Sequence, residues 1–173
     1  FKLKAKSHSS MCGIYGCISD QAAGRVLEGL RRLEYRGYDS AGIAALFNVE
    51  DAKSQVKTER SVGYVSDLVS KVNGRFRDSR IAIGHTRWAT HGGVNETNAH
   101  PHSSVDGLIS VVHNGIIENT NELLANIRED GYELKSETDT ELIVHLLHSA
   151  IGENRKPQDI LEAFNDVISQ LRG

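Results

Sequence analysis

Apolar positions along this chain change period as they go, and the change divides it. Cys12 to Ile18 is a short apolar run punctuated by glycine, which predicts a buried strand. Val26, Leu27, Leu30 and Leu33 then recur at helical spacing until Arg36-Gly37 stops the helix. Ala41 to Phe47 predicts a second buried strand, and Asn48 to Lys57 a polar hairpin or surface loop. A short helix is expected over Asp67 to Val72, with Leu68, Val69 and Val72 on one face. Ile81 to Gly84 and Leu108 to Val112 predict further central strands. Between them Thr86 to Asp106 shows no period, and irregular stretches longer than about a dozen residues inside a domain are commonly functional.

The second half is more helical. Leu123, Leu124 and Ile127 make a stripe ending at Gly131, a suitable residue just past a helix end. Thr138-Asp139-Thr140-Glu141 resembles a capping box ahead of Leu142, Ile143, Leu146 and Leu147. Pro157 suits a first helical turn, and Ile160, Leu161, Phe164, Val167, Ile168 and Leu171 continue an apolar stripe. Strands early and helices late do not make regular βαβ alternation, so the pattern predicts an α+β or layered α/β fold.

Composition narrows the function. A chain of 173 residues is long enough for one domain with its own core. Its net charge of -3 gives no attraction to nucleic acid or to an anionic membrane surface. No apolar run approaches the ~20 residues a membrane helix needs. The two cysteines, Cys12 and Cys17, are five positions apart in one predicted strand, on opposite faces, so they are not expected to pair. That usage suits a reducing, cytoplasmic setting. Residues 1–10 are basic and polar with no signal-peptide core, and read as a tag remnant or propeptide ahead of a domain over 11–173.

Cys12 follows the sole methionine, Met11. If Met11 is removed, Cys12 carries a thiol and a free α-amine on one carbon, a nucleophile with its own proton acceptor. The bland reading is a small buried hydrophobe at the start of a strand. Polar clusters elsewhere favour the chemical one: a charged, aromatic turn over 33–42, His85-Thr86-Arg87-Trp88-Ala89-Thr90-His91-Gly92, His113-Asn114-Gly115, and Ser136-Glu137-Thr138-Asp139. His85, His91, His100, His102 and His113 match no zinc spacing, so no metal is expected. His145 and His148 read as a solvated helix face. Each cluster has a plain alternative too: a turn for Asn114-Gly115, dipole complementation for Asp139, a surface ion pair for Arg87. Cleaving an amide with a thiol requires donors for a developing oxyanion and charges that orient the substrate. Asn114 and Gly115 supply the donors, Arg87 suits a carboxylate and Asp139 an ammonium.

Taken in order, Cys12-Gly13-Ile14, Leu-Glu-Tyr-Arg-Gly-Tyr-Asp-Ser-Ala-Gly, His-Thr-Arg-Trp-Ala-Thr-His-Gly, Asn98-Ala99-His100-Pro101-His102, Val112-His113-Asn114-Gly115-Ile116-Ile117-Glu118-Asn119 and Ser-Glu-Thr-Asp-Thr-Glu resemble the N-terminal glutaminase domain of the glucosamine-6-phosphate synthase family, class II glutamine amidotransferases with an N-terminal nucleophile. The resemblance implies a four-layer αββα sandwich, incomplete here at its C-terminal end. It implies that L-glutamine is cleaved to glutamate and ammonia through a Cys12 thioester, with Asn114 and Gly115 as the oxyanion hole. Arg87, Thr90 and His91 would take the α-carboxylate and Asp139 the α-ammonium, with no cofactor. Arg36 would pack near the nucleophile, Trp88 would gate ammonia, and His100 would support the site. The ammonia would pass to a sugar-phosphate isomerase domain that converts fructose 6-phosphate to glucosamine 6-phosphate. Rivals are the glutaminase domain of another class II amidotransferase, or a binding module whose Cys12 stays blocked. With an amide in place of the free amine, the chain is expected to be inactive until cut before Cys12.

Overall fold

A four-stranded antiparallel sheet with two helices on one face sets the frame. The computed structural model describes residues 11–47, 55–90, 92–152 and 156–173. Strand β1 (Gly13–Ile18) leads into helix α1 (Ala22–Leu33), which tightens into a 3-10 turn, Glu34–Arg36. Strand β2 (Ser40–Phe47), strand β3 (Gln55–Val62), helix α2 (Val65–Val72) and strand β4 (Ser79–Arg87) follow. The strands pair antiparallel in the order β1-β4-β2-β3. Helices α1 and α2 cover one face, burying Val26, Leu30, Val65, Leu68 and Val72 against Ala41, Ile43, Ala45 and Ala82.

The opposite face receives a second layer. Strands β5 (His102–Ser103) and β6 (Ser110–Val111) form a small antiparallel pair, bridged to the large sheet by Thr58 Oγ1 and Ser103 Oγ at 3.1 Å. Glycine at position 42 permits this approach, because a Cβ there would collide with the His100 carbonyl. Helix α4 (Thr140–Ile151) packs on β5 and β6, with α3 (Thr120–Glu129) and α5 (Pro157–Gln170) against it. Leu123, Ile127, Leu142, Ile143, Leu146 and Val167 close a second core. The layers therefore run helix, sheet, sheet, helix, the αββα order, with a sparse second sheet.

Several expectations change. The polar hairpin or surface loop expected over Asn48 to Lys57 gives way at Gln55 to a strand, Gln55–Val62, and residues 48–54 lie outside the described residues. It is an edge strand carrying Lys57, Glu59 and Arg60, whose charges hide the strand signal. The strand expected over Leu108 to Val112 shrinks to Ser110–Val111, and its partner β5 comes from the aperiodic stretch. Glu141 does not close a capping box; its carboxylate accepts the Ser136 hydroxyl and the backbone N–H groups of Lys135 and Ser136 at 2.6–3.0 Å. His145 is buried and stacked on Tyr132, and His148 Nδ1 bonds the Tyr132 hydroxyl at 2.6 Å, so these histidines are not a solvated face. On α5 only Ala163 and Val167 are buried, while Ile160, Leu161, Phe164 and Ile168 stay exposed, because among the described residues the helix packs chiefly on α4.

Candidate active site

The register of β1 against β4 decides what Cys12 faces. Gly13 pairs with Thr86, so Cys12 lies one step beyond, level with Arg87. The Trp88 N–H donates to Cys12 Sγ at 3.3 Å, a backbone donor aimed at the sulfur. Asn114 Nδ2 donates to the Cys12 carbonyl at 3.4 Å, and Asn114 Oδ1 lies 2.8 Å from His85 Nε2. Gly115 follows at φ 153°, where an added Cβ would sit 2.8 Å from His113 Nε2. The backbone conformation favours glycine there, and a side chain would also have to displace the His113 ring. On the other side of Cys12, the Met11 N–H donates to the Arg36 carbonyl at 3.3 Å.

Two opposite charges complete the cavity. Arg87 is 5% exposed and donates from Nη1 to the Gly93 carbonyl at 3.3 Å. Asp139 accepts the Ile117 N–H on Oδ2 at 2.8 Å and the Thr140 hydroxyl on Oδ1 at 3.4 Å. Cys12, Arg87, Thr90, Asn114, Gly115 and Asp139 all line one cavity of about 470 Å³, as do Trp88 and His100. Arg36 does not line it. His91 lies outside the described residues. The structure thus gathers a thiol, a carboxamide, a buried cation and a carboxylate from the residue before β1, the segment after β6, the end of β4 and the residue capping α4.

Residues with no role assigned from sequence hold this arrangement. Asp39 accepts the Ala89 N–H on Oδ2 at 2.6 Å, and its own N–H donates to the Arg87 carbonyl at 2.8 Å, fixing the chain on both sides of Trp88. Asn98, buried, donates to the Gly93 carbonyl and to Glu137 Oε2 and accepts the Glu137 N–H, at 2.8–2.9 Å. The Gly93 N–H also reaches Glu137 Oε2 at 2.8 Å. These bonds, the Gly93 one first and Asn98 next, hold the Glu137 carboxyl below its ordinary range. Both Asp39 and Asn98 sit inside quoted motifs, and a polar residue in a tight turn was the signal available.

Histidines do gather at the cavity, His85, His100 and His113 in its wall, through ring contacts and hydrogen bonds. His85 stacks on His100 at 4.3 Å, and His100 meets His102 edge-on at 4.8 Å. His102 Nε2 lies 2.7 Å from Thr138 Oγ1. Among the described residues no group of His, Cys, Asp or Glu is arranged to hold a metal ion. Burial lowers all three rings, His85 to about 4 and His102 to about 3. Burial raises Glu141, but His145 Nε2 at 3.5 Å and hydrogen bonds from Ser136 and Lys135 outweigh it and leave it at about 2.

The model of the glutamine amidotransferase domain matches residues 42–157 of this chain. The chain belongs to the glutamine amidotransferase family. The glutamine–fructose-6-phosphate aminotransferase (isomerizing) of Idiomarina loihiensis is 49% identical over 164 residues, which cover 94% of this chain and 26% of that protein. Its counterparts in Chlamydia muridarum and Pyrococcus horikoshii are 48% and 46% identical, with the same coverage. The chain thus spans about a quarter of the length of these relatives. Among solved structures, the glutamine phosphoribosylpyrophosphate amidotransferase of B. subtilis superposes with a TM-score of 0.71 at 23% identity, covering 94% of this chain and 33% of that one. A structure described as the allosteric regulatory enzyme of purine biosynthesis reaches 0.70 at 25% identity, with the same coverage. These two share the N-terminal-nucleophile amidotransferase fold with this chain. Among the described residues no helix is long and apolar enough to cross a membrane.

Proposed function

We propose that this chain is the glutamine-hydrolysing domain of a glutamine–fructose-6-phosphate aminotransferase, with Cys12 as nucleophile once the Met11–Cys12 bond is cut. The observation that carries the reading is the convergence of Cys12, Asn114, Gly115, Arg87 and Asp139 on one cavity. L-Glutamine is a zwitterion with an amide at its far end. Arg87, with Thr90 and His91, takes its carboxylate, and Asp139 its ammonium. The amide is then held at Cys12.

The freed α-amine of Cys12, ordinarily titrating at ~7.7–8.0, accepts the thiol proton near neutral pH. The thiolate adds to the amide carbon, and charge moves to the amide oxygen, held by the Asn114 Nδ2–H and the Gly115 N–H. As the carbon–nitrogen bond breaks, the Cys12 ammonium returns the proton and ammonia leaves, giving a γ-glutamyl thioester. Water, losing a proton to the same amine, attacks the thioester carbon. Glutamate departs and the thiol is restored. In the longer protein the ammonia serves an isomerase domain acting on fructose 6-phosphate, with Trp88 gating its passage, and Arg36 and His100 supporting the site. The free cysteines suit a reducing cytoplasm.

The test compares the protein before and after cleavage at Cys12, each form verified by intact mass. Glutamate release by the uncut form is expected to be slower by on the order of a thousandfold or more. Equal turnover by both forms would show that the α-amine is not the base.

A further inference from the structure

A carboxamide can enter an oxyanion hole either way round, and only one way helps. With Nδ2 towards the nucleophile Asn114 donates to the oxyanion; turned by half a rotation it would present Oδ1 and repel it. The exposed 3.4 Å bond from Nδ2 to the Cys12 carbonyl is a weak determinant of that choice. The stronger one is the 2.8 Å contact between Oδ1 and His85 Nε2, on a ring that is 1% exposed. We infer that His85 is a positioning residue whose Nε2–H holds the Asn114 carboxamide with its NH₂ towards the Cys12 thiolate's target. This rests on the glutaminase reading above.

The location of one proton sets the polarity. A neutral imidazole carrying its proton on Nε2 donates to Oδ1 and leaves Nδ2 for the oxyanion. With the proton on Nδ1, Nε2 would become an acceptor, draw the NH₂ inward and reverse the hole. Burial keeps His85 neutral, outweighing the Asn114 bond and a His113 backbone contact that favour its charged form; Arg87 on the same strand and the His113 ring repel a second charge, and His100 is stacked on it. The ring is also clamped. Gly42 pairs with His85 in the sheet, and its missing side chain lets the His100 carbonyl approach, bringing the His100 ring to 4.3 Å from that of His85. The His113 N–H donates to His100 Nδ1 at 3.4 Å, tying the same stack to the segment that carries Asn114. Donor and acceptor are thus held by one buried assembly, and the Nε2 proton is the part that carries direction.

The experiment uses the protein with Cys12 as its first residue. Nitrogen NMR of the unmutated protein is expected to show His85 as the Nε2–H tautomer at pH 7; the Nδ1–H tautomer overturns the inference. His85→Phe keeps a ring on His100 but removes the donor, and should lower kcat for glutamine about ten- to a hundredfold with KM within about twofold. His85→Gln restores an N–H and should recover most of the loss. In an Asn114→Ala background, His85→Phe should cost less than about twofold, because its effect runs through that carboxamide. A full loss in that background, or a Gln variant as slow as the Phe one, overturns the inference. Should the unmutated protein release no glutamate, the glutaminase reading fails instead, and the tautomer still decides which way Asn114 is held.

Discussion

The part of the cavity that carries Asn114 and the part that carries Arg87 and Glu137 face the same space and are built on different terms. Asn114 and Gly115 rest on His85 and His100, rings stacked at 4.3 Å and kept from ionising in part by burial, with the His113 N–H tied to the same stack. Arg87 rests on a loop whose Gly93 is pinned by a carboxylate, Glu137, and by the buried amide of Asn98. The first arrangement resists adjustment, since stacked rings and a glycine at φ 153° leave little room. The second is a network of hydrogen bonds between loops. That division suits the chemistry proposed: oxyanion donors must be preorganised, while groups that grip an amino acid must let it in and out.

The sharpest way to break the contrast is at Gly115. Gly115→Ala adds a Cβ 2.8 Å from His113 Nε2 in a backbone conformation that alanine avoids. Steady-state kinetics should show kcat reduced by about 10²–10³, with KM changing much less. A drop shared equally by kcat and binding would mean that the two parts are not separate.

A smaller effect is expected from the other side. Asn98→Ala removes the bonds to Gly93 and Glu137 and leaves the Glu137 N–H without its partner. At roughly 1–3 kcal/mol for such a loss, KM for glutamine should rise about tenfold while kcat stays within about threefold. A kcat effect as large as that of Gly115→Ala would place Asn98 with the oxyanion hole.

A separate effect, spread over several pH units, concerns stability in acid. His85 at about 4 and His102 at about 3 bind protons less readily folded than unfolded, where a histidine titrates near ~6.5. The unfolded chain therefore holds more protons below that point, and stability falls as pH drops from ~6.5 towards those values. Glu141, at about 2, gives stability that is present above the ordinary carboxylate range and is lost as pH falls towards 2. Denaturation midpoints should thus start to fall below about pH 6.5, by up to about 1.4 kcal/mol per pH unit for each buried histidine. His85→Gln should shallow that slope, leaving the later carboxylate loss in place. A flat profile down to pH 4.5 would contradict neutral packing around Asn114.

Legibility followed the same division. The period of Val26, Leu27, Leu30 and Leu33 exposed α1, and the apolar run over Ala41 to Phe47 exposed β2, because each buries one broad face against a single core. Strand β3 was hidden, since an edge strand needs few apolar positions. The second sheet was nearly invisible, for β5 and β6 are each two residues long and are held by Ser103, Ser110 and Thr58 hydroxyls. At the site, Cys12, Arg87, Asn114, Gly115 and Asp139 stood out because their residue types match the needs of amide cleavage, and the ordered motifs named a family. Asp39, His85, Asn98 and Glu137 did not, because a supporting residue has no chemistry of its own to announce.

By itself, then, the sequence determined the helical and extended segments with broad apolar faces, the family, and the inventory of reactive groups. Those depend on local spacing and residue type. Only the tertiary structure decided how the groups are aimed. The His85–Asn114 bond joins residues 29 positions apart and the Asn98–Glu137 bond residues 39 apart. Nothing in local spacing specifies such pairs: they exist because the large sheet and the small one close on each other over Gly42, which brings distant polar groups out of water and leaves them only one another as partners.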